Sequence, residues 1–114
     1  MTMNPLDAEY AVIGSILVDS RCLCEVRELL RPEDFALATN QEIYRAALAL
    51  DRQNTPIDPV TIREAVAKAG ASISGQYILD LMAITPTVVN AGEYARIARD
   101  ASLRRQISAL AKTA

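Results

Sequence analysis

At 114 residues the chain is one domain, large enough to bury a core without disulfide or metal staples. Its composition is 51% hydrophobic, mostly Ala, Leu and Ile with one Phe and no Trp, which excludes disorder and favours helices over strands. A net charge of −2, no histidine and no run near the roughly 18 apolar residues of a membrane span exclude an overall nucleic-acid footprint, the usual general base and a transmembrane segment.

The opening Asn4-Pro5-Leu6-Asp7 is a helix start. Asn4 can cap the free amides, Pro5 suits the first helical position, and Asp7 lies near the positive end of the helix dipole. Leu6, Tyr10, Ile13 and Leu17 recur at helical spacing and predict one apolar face, while the small pair Gly14-Ser15 admits a neighbouring backbone. After the turn Val18-Asp19-Ser20, a second helix is expected to run to about Leu30, burying Leu23, Val26, Leu29 and Leu30. Cys22 and Cys24 lie two apart on that helix, point to different faces, and read as ordinary cytosolic thiols. Pro32 stops the helix, and Arg31–Phe35 reads as a tight turn that drops Phe35 into the core.

A third helix is expected from about Asn40 to Gln53, with Thr39 as its cap and Ile43, Tyr44, Ala47, Leu48 and Leu50 inward. Asp58-Pro59 starts a fourth helix through Ile62, Val66 and Ala69, and Gly70 takes the left-handed cap position. A fifth spans Tyr77, Ile78, Leu81, Met82 and Ile84 until Thr85-Pro86-Thr87 breaks it. The last helix is expected to begin at a capping box, Asn90-x-x-Glu93, with nothing to stop it before Ala114. At that length it would reach about 36 Å, against a radius of gyration of about 13 Å for a compact domain of this size. Its final turns should therefore project. The expected fold is all-α: a compact bundle of about five helices plus a long C-terminal helix.

Catalytic readings lack parts. The acids Glu9, Glu25, Glu28, Glu33, Asp34 and Glu42 read as a solvated surface, and neither lysine sits in a phosphate-binding Gly-rich loop. No Glu-x-x-His pair exists for a di-iron site. The stretch Glu33–Ala49 has the outline of a helix-turn-helix, but its second helix sets only Arg45 and Arg52 against Glu42 and Asp51. The last helix is more informative. Tyr94, Ile97, Ala98 and Ala101 form one apolar run, and Leu103, Ile107 and Leu110 form a second, offset run on the turns expected to project. A projecting apolar stripe needs a partner, and burying three such side chains supplies on the order of 5 kcal/mol before association costs. Self-association is therefore expected through Tyr94, Ile97, Leu103, Ile107 and Leu110.

The order of these signals resembles a known family. Asp7-Ala8-Glu9-x-Ala11-Val12-x-Gly14-Ser15-Ile16-Leu17 looks like the E-A-E-x-A-V-L-G-S-I-L string that opens bacterial DnaB-like replicative DNA helicases. Pro32-Glu33-Asp34-Phe35, Ile43-Tyr44, Pro56-Ile57-Asp58-x-Val60-Thr61, Tyr77-Ile78-x-Asp80-Leu81, Thr85-Pro86-Thr87-x-x-Asn90 and Tyr94-Ala95-Arg96-Ile97 follow in the family's order. Departures point to a divergent member of phage or prophage origin: Asp7 replaces the usual Glu, Ala36–Gln41 lacks an aromatic and a Pro-His pair, and the loop after Gly70 is short.

The resemblance implies a head domain at 1–89 and, at 90–114, the first arm of a helical hairpin. The RecA-like motor, with its ATP and Mg, would lie outside this chain. It implies no enzymatic activity or cofactor for the fragment itself, a cytoplasmic location, and pairing of hairpins into dimers and a hexameric ring that alone engages DNA. It also implies docking of primase on a surface including Tyr77 and Ile107, and a helicase loader as a further partner. Two other readings are a stand-alone phage replication adaptor without a motor and a small helical DNA-binding protein.

Overall fold

The computed structural model describes residues 3–113, so the expected helix end at Ala114 lies outside the described residues. Among the described residues six helices form in the expected order: α1 (Pro5–Val18), α2 (Leu23–Val26), α3 (Ala38–Arg52), α4 (Pro59–Lys68), α5 (Gly75–Ile84) and α6 (Ala91–Thr113). Short 3₁₀ turns at Ser20–Cys22, Pro32–Asp34 and Val88–Asn90 join them, and no strand occurs among the described residues. The all-α architecture is as expected.

Local chemistry sets most helix starts. Asn4 Oδ1 accepts from Leu6 N at 2.8 Å, with Pro5 next to it. Asp58 and Thr61 exchange side-chain and backbone hydrogen bonds, both at 2.9 Å, and Ser74 caps α5. Gly70 takes φ +89°, the conformation that its place after α4 requires.

Helix α1 is the axis of the head. It packs on α3, α5 and α6, and every residue from Ala8 to Leu17 except half-buried Tyr10 is buried. The one-faced reading of α1 is thus corrected: an uninterrupted uncharged run, Ala11 to Leu17, is surrounded, and Leu6 at the start of the supposed stripe is exposed. Gly14 does what was expected of it. A Cβ there would lie 2.6 Å from the Leu81 carbonyl oxygen and 1.9 Å from Thr85 Oγ1, so the end of α5 crosses directly over it.

Three other starts and stops differ from expectation. Helix α2 ends at Val26 rather than Leu30: beyond it the Glu28 and Leu29 amides turn to the i−3 carbonyls of Glu25 and Val26, and the Leu30 carbonyl accepts from Tyr44 Oη at 2.8 Å before Arg31 becomes extended ahead of Pro32. Helix α3 begins at Ala38, so Thr39 is inside it and cannot cap it. Ahead of α6, Thr87 rather than Asn90 supplies the side-chain cap, to the turn at Val88–Asn90.

Candidate functional site

Helix α6 spans 23 residues, about 34 Å at 1.5 Å per residue. From Ala91 to Ser102 it packs on α1 and α2, burying Ala91, Tyr94, Ala95 and Ala98 in the same core as the rest of the head, and Ala101 and Ser102 beyond them. From Leu103 to Lys112 every residue is exposed. The packing therefore changes at Leu103, within the stretch 90–114 expected to form the arm. At 100° per residue, the direction of Leu103, Ile107 and Leu110 lies roughly 140° around the helix from that of the buried set. The head's own core cannot reach this second stripe.

The five residues expected to self-associate are thereby split. Tyr94 is 7% exposed and belongs to the head core, and Ile97 is half-buried between the two faces. Leu103, Ile107 and Leu110 are 39%, 66% and 70% exposed. Tyr94 is removed from the accessible set because its direction on α6 is that of Ala91, Ala95 and Ala98, not that of the arm stripe.

The arm leaves the head over a polar clamp that the sequence reading missed. Asp34, assigned to the surface, is 1% exposed. Its Oδ1 accepts from Ser102 Oγ at 2.7 Å and from Arg99 Nη1 at 3.2 Å, and its Oδ2 accepts from the Arg31 amide at 2.8 Å. Its backbone carbonyl accepts from Arg105 Nη2 at 2.6 Å. A buried acid facing a guanidinium, a hydroxyl and an amide is compensated in charge and in hydrogen bonding. Arg99, Ser102 and Arg105 follow one another every three residues on α6 and cross the C-terminal end of its buried face.

Glu9, also assigned to the surface, is 3% exposed and ties α1 to the start of α3. Its oxygens accept from the amides of Ala36 (2.6 Å) and Leu37 (3.1 Å) and from Asn40 Nδ2 (2.7 Å). This carboxylate does for α3 what its own flanking residues do not. Asn40 Oδ1 in turn accepts from Tyr77 Oη at 2.5 Å. Tyr77, the expected docking residue on α5, is half-buried with its hydroxyl turned inward. Burial first, then Tyr10 and Glu9, pushes its phenol up to about 12.

Two clefts open on the head. One, of about 390 Å³, lies between α3 and α4 with Leu50, Ala65 and Ala69 in its walls and the Glu64–Lys68 ion pair at 3.6 Å on its rim. The other, of about 230 Å³, lies between the starts of α4 and α5, where Val60, Arg63 and Leu79 line it. Neither brings together a nucleophile, a base and an orienting group. Among the described residues no group of three or more His, Cys, Asp or Glu is placed to hold a metal ion, and no helix is long and apolar enough to cross a membrane. Among the described residues Arg99 and Arg105 are engaged by Asp34 and Arg96 pairs with Glu93 at 3.3 Å, so three of the four arginines on α6 are turned to acceptors within the chain.

The DnaB-like helicase N terminal domain family matches residues 2–100. The replicative DNA helicase DnaB of Geobacillus stearothermophilus is 34% identical over 105 residues, covering 90% of this chain and 23% of that protein. This chain thus spans about a quarter of the length of such relatives. The crystal structure of the N-terminal domain of DnaB helicase from Mycobacterium tuberculosis superposes with a TM-score of 0.91 at 32% identity, over 95% of this chain and 79% of that one. The N-terminal domain of DnaB helicase from Helicobacter pylori, described together with its interactions with primase, gives 0.85 at 28% identity, over 96% and 87%.

Proposed function

The chain belongs to the DnaB-like helicase N-terminal domain family, and from that premise we propose that it is the assembly and docking module of a replicative helicase. It has no chemistry of its own. Strand separation, with ATP and Mg, falls to a motor segment of the full-length protein. This module pairs subunits through the α6 arm, in a dimer and then a hexameric ring, and presents a surface to primase, all in the cytoplasm where replication proceeds. DNA is engaged only by the assembled ring. A helicase loader is a further partner of the full-length protein.

The observation that carries this reading is the Leu103–Ile107–Leu110 stripe, exposed on turns that the head does not cover and facing away from the head's core. Removing such a stripe from water needs a second surface, and a second copy offers the same stripe in a two-fold arrangement. Primase docking is supported by the likeness to the Helicobacter pylori domain and by the place of Tyr77, half-buried on α5 with its hydroxyl held by Asn40.

Sedimentation of the wild-type chain and Ile107→Glu tests the assembly role. Wild type sediments as a dimer, and the variant as a monomer with an unchanged circular dichroism spectrum. A variant that remains dimeric overturns the assignment of the stripe. Capture by the cognate primase, weakened by Tyr77→Ala and by Ile107→Glu, tests docking; equal capture of all three chains removes these residues from the primase surface.

A further inference from the structure

The two buried polar clusters meet in one segment. Residues 31–37 carry Asp34, which holds α6 through Arg99, Ser102 and Arg105. Two and three residues further on they carry the amides of Ala36 and Leu37, which Glu9 holds. Glu9 also holds Asn40, and Asn40 holds the Tyr77 hydroxyl on α5. Side-chain hydrogen bonds thus link α5 through α3 and α1 to the strap 31–37, whose backbone carries the connection on to Asp34 and α6, with buried Asn40, Glu9 and Asp34 at the nodes.

The strap is stiff at its middle. Phe35, between the two clusters, is 1% exposed and packs on Tyr44 with ring centroids 4.9 Å apart, and the Tyr44 hydroxyl holds the Leu30 carbonyl just upstream. A segment pinned at Leu30, Asp34, Phe35, Ala36 and Leu37 moves as a unit or not at all. Displacing the amides at Ala36 and Leu37 therefore displaces Asp34, and with it the point from which the arm departs.

We propose that the strap 31–37 is a mechanical joint coupling the α5 face at Tyr77 to the direction of the α6 arm. The coupling follows from the fold alone and requires neither a partner on α5 nor a second copy on the arm. Coupling between sites is reciprocal, so a perturbation at either end must be felt at the other. A pair of small perturbations, one at each end, supplies the test.

Native-state amide hydrogen exchange on the whole chain reads both ends. Each rate is taken relative to that of Ile13, in the centre of α1, so that any uniform loss of stability cancels. Tyr77→Phe removes only the hydroxyl on Asn40, and Ser102→Ala removes the hydroxyl that donates to Asp34 and accepts from Gln106 Nε2 at 3.0 Å, so its effect is read at Ala36 and Leu37, away from Gln106. The expected result is that Tyr77→Phe speeds relative exchange about threefold or more at Ala36, Leu37 and the amides of residues 105–107. Ser102→Ala speeds exchange at Ala36 and Leu37 by a similar factor, and the double variant gives less than the product of the two. Gln76→Ala, on the same helix but bonded only to Asp80 (2.7 Å), leaves residues 105–107 unchanged. The proposal is overturned if Tyr77→Phe acts only within α3 and α5, if the two substitutions multiply as independent changes, or if Gln76→Ala has the same reach as Tyr77→Phe.

Discussion

Replacing Glu9 by Gln changes the shape of the side chain least and its role in the fold most. Three donors converge on the carboxylate: the Ala36 amide at 2.6 Å, the Leu37 amide at 3.1 Å and Asn40 Nδ2 at 2.7 Å. A glutamine offers one oxygen and one NH₂. Its best orientation keeps the oxygen for Leu37 and Asn40 and turns the NH₂ toward the Ala36 N–H, donor against donor. One charge-assisted hydrogen bond is lost, at about 1.5–3 kcal/mol, and a buried amide is left without an acceptor. The sum is about 2–4 kcal/mol, a large share of the 5–15 kcal/mol that a typical domain has in total. For a chain of this length the melting temperature should fall by about 10–25 °C. Thermal and urea unfolding of wild type and Glu9→Gln, followed by circular dichroism, measures it. A variant within about 1 kcal/mol of wild type would refute the view that this carboxylate caps α3 from across the core.

Gly14→Ala should destabilise by about 1–3 kcal/mol in urea unfolding, although alanine favours a helix, because its methyl meets the Leu81 carbonyl at 2.6 Å. Adding Thr85→Ala should recover only part of the loss, since the carbonyl belongs to the backbone. Asp58→Ala removes the cap on the Thr61 amide and should cost about 0.5–2 kcal/mol in the same assay. Stability should also fall in alkali. Burial, followed by the nearby charge of Asp19, pushes the Cys22 thiol up to about 11 from an ordinary 9.0, and Tyr77 is raised to about 12 from 10.0. Both groups are neutral when protonated, so their contribution is complete below pH 9 and is lost as pH rises through 11 and 12. The urea midpoint should decline across that window, and Cys22→Ala should flatten its lower part; a wild-type midpoint constant from pH 9 to 11 would contradict the burial argument.

What could be read in advance was what neighbours in the chain decide between themselves. Asn4 with Pro5, Asp58 with Pro59, and Gly70 after α4 are caps whose donors lie within a few residues, and each forms where the sequence put it. Glu9 and Asp34 were misplaced because an acid is solvated or buried according to groups that fold back on it. For Glu9 those groups lie 27–31 residues away, and for Asp34 the groups on α6 lie 65–71 residues away. Two signals were nonetheless present. The uncharged run Ala11–Leu17 has no polar face, which marks a helix surrounded on all sides. The Arg99-x-x-Ser102-x-x-Arg105 series, crossing the end of an apolar face, announces a buried acceptor without saying which acid supplies it. The split in the self-association set has the same origin: Tyr94 and Leu103 are both apolar, and only the exit point at Ser102 separates core from arm.

That exit point explains why the clamp is polar. An apolar contact holds a helix down but lets it roll, because hydrophobic attraction has no direction. Here a roll would matter, since the arm stripe lies roughly 140° around from the buried face and any rotation of α6 swings Leu103, Ile107 and Leu110 with it. Asp34 grips three successive points on α6, through both carboxylate oxygens and its carbonyl, and these bonds are directional. They fix the azimuth of the helix at the last turn where the head still touches it. Beyond Ser102 the arm is a rigid lever of about 15 Å, so its aim is decided at the clamp and not along its length. The head's contribution is accordingly orientation: a buried acid 65 or more residues upstream sets the direction in which the arm's exposed apolar side chains point.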